Sequence, residues 1–303
     1  FLYLALKEQP LGEIIKTVFT AKIRYILIAL LFYFLSYIAR SEKWRIQVVN
    51  LNFKLIPKTA FYALMLHFFV NSFTIKLGSF VRCGNLKKTA NVPFPSCFGS
   101  YVSECVFDFM FMFLGIFIVM ALKFNEILII LKQLVLDLGL ETHLDKPIYL
   151  IILAIVGLIS LIVLIYLYKK KLILKKHLSK VKEFIDSIKK TFNIKGFWLF
   201  IAWNFVLWIM LYFMNLYLFK SLFDEKAGFI LIFTITSFTY AAWLMPNPGG
   251  IGSVEYFVLQ AFLLFGLSTH DALAFGILSN GFTLLSTLMF GFIMIIIQSL
   301  TCL

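Results

Sequence analysis

Apolar runs about twenty residues long recur along this chain between short polar stretches, and a run of that length crosses a bilayer as a helix. The runs cover 22–40, 57–76, 98–122, 147–168, 197–219, 227–245 and 281–300. The stretch 254–280 is also apolar but is interrupted by Gly266, His270 and Asp271. It reads either as a re-entrant hairpin or as a full span with a short partner. The short alternating segments of a β-barrel are absent. The pattern predicts an all-α, polytopic helical membrane protein of about seven to eight spans, some of them re-entrant or broken.

The polar stretches set the rest of the layout. Residues 1–21 mix Lys7, Glu8, Glu13 and Lys16 into apolar sequence, which predicts an amphipathic segment on the membrane surface. The longest polar stretch, 169–195, holds ten lysines against Glu183 and Asp186, so it is expected to be a cytoplasmic basic loop. Counting back span by span puts 123–146 outside, 76–97 inside and the N-terminus inside. The loop 40–58 then conflicts with the rule: it falls outside, yet carries Arg40, Lys43, Arg45, Lys54 and Lys58 against Glu42 alone. Either a span is misplaced there or those charges bind something, anionic lipid headgroups being the obvious ligand. No polar stretch has room for a separate catalytic domain, so 1–303 reads as a single integral membrane domain.

Composition sharpens this. The chain is 61% hydrophobic and 14% charged, which excludes a soluble domain of 303 residues. Its net charge of +13 would suggest nucleic acid in a soluble protein. Here the basic residues sit in loops beside anionic lipid, so membrane lipids are the expected partners and nucleic acid is not. The four cysteines form no CxxC pair, and His67, His143, His177 and His270 are scattered. No metal site, cofactor or structural disulfide is expected. No P-loop pattern is present, so transport would be passive or driven by a gradient.

Three constellations carry candidate chemistry. The first is Pro246-Asn247-Pro248-Gly249-Gly250-Ile251-Gly252-Ser253-Val254-Glu255, which breaks an apolar run. Broken helices at membrane depth line cavities, and transporters hold substrates there. Ser253 can cap a helix starting at Val254, with Glu255 favoured by the helix dipole. Alternatively, the N–H groups around Gly249, Gly250 and Gly252 form an anion cradle. The second is Lys76 to Arg82, after a span whose His67 and Asn71 share a face. Lys76 and Arg82 either anchor a span end in headgroups or hold a phosphate, which suits the planar fork of Arg. The third is a helix beginning near Ser96, whose Glu104 and Asp108 face one way. They form either an ion pair with Arg82 or Lys76 that fastens helices, or a relay for protons or substrate.

These residues resemble the lysylphosphatidylglycerol synthase transmembrane family, also called flippase-like integral membrane proteins. Three blocks carry the resemblance. Arg40 to Arg45 is similar to an R-x-x-x-W-R after the first span. Lys76 to Asp108 is like G-E-x-x-R followed by a helix with E-R-x-x-D. Pro248-Gly249-Gly250-Ile251-Gly252 with Glu255 looks like P-G-G-[LI]-G-x-x-E. The chain departs from the pattern at Ser79, Cys105, Val254 and Asn280, where the family has Glu, Arg, Arg and often a further Arg. The resemblance implies the lipid-translocating unit without the soluble aminoacyl-transfer domain. It implies a flippase of a bacterial or archaeal cytoplasmic membrane, moving an anionic phospholipid-like or polyprenyl-phosphate-linked lipid. Its implied substrate-binding residues are Arg40, Arg45, Lys76, Arg82, Glu104, Asp108, Pro248, Gly249, Gly250, Gly252, Glu255 and Asn280. Two alternatives stand beside it: an intramembrane enzyme acting on a lipid headgroup, with Glu104 and Asp108 on Mg²⁺, and a structural or regulatory membrane subunit.

Overall fold

A computed structural model describes residues 11–124, 186, 190, 196–223, 227–245 and 247–301. The expected span 147–168, nearly all of the loops 123–146 and 169–195, and residues 1–10 of the surface segment lie outside the described residues. The described residues form α-helices, one 3-10 turn and no strand. In chain order the helices are α1 (Leu11–Phe19), α2 (Ile23–Asn50), α3 (Pro57–Phe73), α4 (Gly78–Ala90), α5 (Phe94–Leu122), α6 (Phe197–Leu222), α7 (Phe229–Leu244), α8 (Ser253–Leu263) and α9 (Thr269–Thr301), with the turn Pro248–Gly250 between α7 and α8.

Among the described residues, α2, α5, α6 and α9 are long and apolar enough to cross a membrane. Their side chains are arranged inside out. Large apolar residues such as Phe109, Phe113 and Phe117 on α5, and Leu285, Phe292 and Leu300 on α9, are exposed. Lys43, Arg82, Glu104, Asp108 and Asn204 are buried. Lipid accepts the first set freely and makes the second costly to expose, so this is the distribution a bilayer selects.

The polar–apolar pattern marks the elements but misplaces two boundaries. The first apolar run was expected to end near residue 40, leaving 40–58 as a loop. Instead α2 continues unbroken for 28 residues to Asn50. Arg40, Lys43 and Arg45 therefore ride on a helix rather than in a loop, Lys43 wholly buried. The run 227–245, expected to span, is a helix of 16 residues, about 24 Å long and short of a hydrocarbon core of about 30 Å. The stretch 254–280 is not one element: α8 has 11 residues, the chain turns through Gly266 at φ +66°, and α9 begins at Thr269.

The short helices pair as two hairpins, α3–α4 and α7–α8. The first breaks at 74–77, and its close approach depends on Gly78, where a Cβ would stand 2.0 Å from the backbone oxygen of His67. The second breaks at the glycine-rich turn, where Gly249, Gly250 and Gly252 have φ of +59°, +72° and +85° and glycine alone enters such angles without strain. The long helices brace them. α2 runs along α6 through Phe32, which stacks on Phe213 and Tyr217 at 5.0 and 5.6 Å. α8 lies on α9 through Phe262 and Phe275, 5.6 Å apart. α1 rests on α9 by burying Ile14 against Leu273 and Ala274, its other described side chains staying partly or fully exposed, in keeping with an amphipathic segment.

Candidate functional site

The two hairpin tips meet. Lys76, in the break of the first, is itself in the left-handed conformation at φ +59°. That turn carries its Nζ to the carbonyl oxygen of Trp243, to which it donates at 2.7 Å. Trp243 lies in the last turn of α7, whose end carbonyls lack intrahelical donors and carry the negative end of the helix dipole. A lysine from one hairpin thus caps the broken helix of the other.

Beneath the meeting point is a partly open cavity of about 160 Å³, roomy enough for several water molecules. Its charged lining is Arg40 from α2, Lys76 from the first tip, Arg82 from α4, and Glu104 and Asp108 from α5. Glu104 and Asp108 are one helical turn apart and both face it, as the spacing predicts. Each holds a cation. Arg82 donates to Glu104 Oε2 at 2.9 Å while its guanidinium stacks 3.4 Å from the Trp44 ring. Asp108 is paired with Lys43, which also donates to Asn204 Oδ1 at 3.0 Å. Arg40 stands 3.7 Å from the other Asp108 oxygen and donates to the Tyr240 hydroxyl at 2.9 Å. Four cations therefore face two carboxylates, and Lys76 has no acidic partner among the described residues.

A neutral polar wall completes the lining. Tyr33, Tyr37 and Thr287 join their hydroxyls at 2.7 to 3.1 Å. Asn71 donates to His67 Nε2 at 3.1 Å and accepts the Gly78 N–H at 2.8 Å. The second contact fixes which end of the amide is oxygen, so Nε2 of His67 is the accepting nitrogen.

The structure brings six of the expected site residues into this lining: Arg40, Lys76, Arg82, Glu104, Asp108 and Gly249. Arg45, Pro248, Gly250, Gly252, Glu255 and Asn280 do not line it. Arg45 pairs with Glu42 at 2.8 Å. The glycine turn offers a narrower cradle than the sequence suggests, because the Gly252 N–H already donates to Glu255 Oε2 at 2.7 Å. Glu255 takes its second bond from Asn280 Nδ2 at 2.9 Å. Neither Lys76 nor Arg82 supplies its partner: two neutral donors do. Ser253 does not cap α8, which starts from Gly252. Its hydroxyl instead straps the turn to α7, bonding Ala242 and Gly250 oxygens at 3.0 and 3.1 Å.

A protein family described as the lysylphosphatidylglycerol synthase TM region matches residues 1–291. The chain belongs to this family. It is a family of membrane proteins of lipid metabolism and transport. Comparison with curated proteins and with solved structures returns no match. The three blocks that carry the family resemblance each send a residue to the same cavity: Arg40 from the first, Lys76 to Asp108 from the second, Gly249 from the third. At Asn280, where the resemblance leads one to expect an arginine, a neutral amide donates to Glu255 instead.

Sequence reasoning missed Lys43, Asn204, Tyr240 and the tyrosine–threonine wall. Lys43 had a signal: Arg40, Lys43, Trp44 and Gln47 recur at helical spacing and share one face. The wall carries no signal, since Tyr and Thr are ordinary in apolar spans.

Proposed function

We propose that this protein is a lipid flippase or transporter of a bacterial or archaeal cytoplasmic membrane, moving an anionic phospholipid-like or polyprenyl-phosphate-linked lipid between leaflets. The observation that carries the reading is the convergence of Arg40, Lys76 and Arg82 with Glu104 and Asp108 in one cavity beneath two broken hairpins. Arg40, Lys76 and Arg82 engage the phosphate, and Arg82 suits its oxygens by geometry. Glu104 and Asp108 hold Arg82 and Arg40 in place before and after the lipid passes, and the Trp243 carbonyl holds Lys76. The acyl chains stay in lipid, since each buried CH₂ resists leaving by about 0.8 kcal/mol. The metal-dependent enzyme reading has less support, because each carboxylate already faces a protein cation.

The test is reconstitution. Vesicles of neutral phosphatidylcholine carrying a trace of fluorescent phosphatidylglycerol, with and without the protein, are exposed to a membrane-impermeant quencher. The expected result is faster loss of the inner-leaflet signal with protein, reduced by Arg82→Ala. Equal rates with and without protein, for phosphatidylglycerol and for a polyprenyl phosphate, overturn the proposal.

A further inference from the structure

The residues lining the cavity differ in exposure. Tyr37, Asn215, Thr236 and Thr287 are buried. Lys76 from the first hairpin tip, Tyr101 and Cys105 from α5, and Trp243 and Leu244 from the end of α7 also line it and are half-buried. The cavity therefore opens where the two tips approach α5. The surroundings of that mouth are apolar. Ile75 and Leu77 in the first tip are 56% and 52% exposed, Ile251 in the second 50%, and Phe109 on α5 42%. Exposed side chains of this kind favour hydrocarbon, so the mouth faces the bilayer rather than water.

The hydrogen bond from Lys76 Nζ to the Trp243 carbonyl oxygen, at 2.7 Å, runs from one lip of the mouth to the other. Among the described residues no other hydrogen bond joins residues 71–80 to residues 243–253. Elsewhere the tips meet by packing, as where a Cβ on Gly249 would stand 3.3 Å from the Ser72 carbonyl oxygen. Lys76 is also the lining cation that is cheapest to move. Arg82 and Arg40 face carboxylates, at 2.9 and 3.7 Å. Lys76 is held by a neutral carbonyl, and an ionised phosphate oxygen attracts an ammonium more strongly than a neutral acceptor does. The carbonyl it would leave is in the last turn of α7, at the half-buried rim, where water entering with a headgroup can serve it.

We infer that Lys76 is a latch across this mouth. An anionic headgroup arriving from the bilayer draws the ammonium off the Trp243 carbonyl, the tips part, and the same lysine follows the phosphate in toward Arg82. The inference deepens the proposed function and rests on the reading that the cavity receives an anionic lipid headgroup.

Cys105 reports the opening. It is half-buried at the mouth, whereas Cys83 and Cys97 are fully buried and serve as internal controls for unfolding. The full chain in phosphatidylcholine nanodiscs, with and without phosphatidylglycerol, is treated with N-ethylmaleimide. The labelling rate at each cysteine is read by peptide mass spectrometry. Phosphatidylglycerol is expected to speed labelling of Cys105 about tenfold, the worth of one hydrogen bond to a charged group. Anionic lipid by itself repels the reacting thiolate and slows it, so the sign of the change is diagnostic. Lys76→Met is expected to label about tenfold faster in phosphatidylcholine alone and to ignore phosphatidylglycerol, whereas Lys76→Arg keeps the lipid response. Should Lys76→Met also expose Cys83 or Cys97, the wild-type response to phosphatidylglycerol decides alone. A wild-type rate unchanged by phosphatidylglycerol overturns the latch, and so does a folded Lys76→Met that labels like wild type in phosphatidylcholine. A lipid response without leaflet exchange in vesicles keeps the latch and removes the transport reading. Leaflet exchange with no lipid response does the reverse.

Discussion

The two hairpins break in the same way and serve different ends. The α3–α4 tip is built without a glycine at its centre: Lys76 takes the left-handed conformation itself, at φ +59°, and the strain of doing so aims its ammonium across the cavity roof. The next helix then presents Arg82 to the cavity. The α7–α8 tip relaxes through three glycines, and its one carboxylate turns back to occupy its own helix start through the Gly252 N–H. One hairpin turns its charged groups to the cavity, whereas the one carboxylate of the other serves its own closure. The most recognisable motif of the chain is therefore mostly architecture, and the less conspicuous Lys76–Arg82 segment supplies the charge.

Variants can test that division. The largest effect is expected from Arg82→Ala, which strands Glu104 in a buried site. Thermal unfolding in detergent should show a loss of about 3–5 kcal/mol, and leaflet exchange should fall with it. Restored stability without restored exchange in the double variant Arg82→Met, Glu104→Leu would confirm that the pair does more than fasten helices. Gly78→Ala should come next, at about 3 kcal/mol, because its Cβ meets backbone that cannot step aside. Gly249→Ala is expected to cost about 1–2 kcal/mol, the penalty of a left-handed alanine, since its nearest neighbour is a flexible Leu284 methyl at 3.0 Å. A larger loss at Gly249 than at Gly78 would reverse the ranking of the hairpins. Glu255→Gln should be mildest, about 1 kcal/mol or less. Glutamine still accepts from Gly252, and its amide can serve Asn280 Oδ1, which lacks a partner among the described residues. Exchange should drop less than with Arg82→Ala, and an equal drop would put charge chemistry back into the second hairpin.

What the sequence discloses follows from the range of each interaction. The breaks at 74–77 and 247–252 and the shared face of Glu104 and Asp108 are local, so residue types and spacing reveal them. The length of α2 is not local. A hydropathy reading stops at Arg40 because Lys43 and Arg45 follow within five positions, yet the helix continues because Asp108, contributed by α5, neutralises Lys43 from the side. The fate of Glu255 is likewise set by Asn280, 25 positions on, and by an N–H that any residue but proline provides. The window 254–280 is legible for the same local reason: Gly266 turns the chain where the sequence is interrupted, and Ser268 accepts the Asp271 N–H at 3.0 Å at the start of α9.

The buried Lys43–Asp108 pair also constrains how the protein is made. Its two members are 65 positions apart, so during synthesis α2 reaches the translocon long before its counter-charge exists. A lone Lys or Arg at the bilayer centre costs about 2.5–3.5 kcal/mol on insertion scales, and Arg40 and Lys43 arrive together. The C-terminal part of α2 is thus expected to wait near the interface and to seat only when α5 follows. In arrested nascent chains of increasing length, residues 45–50 should become protected from protease only once Asp108 has left the ribosome. Protection in chains ending before Asp108 would mean that the helix seats without its partner.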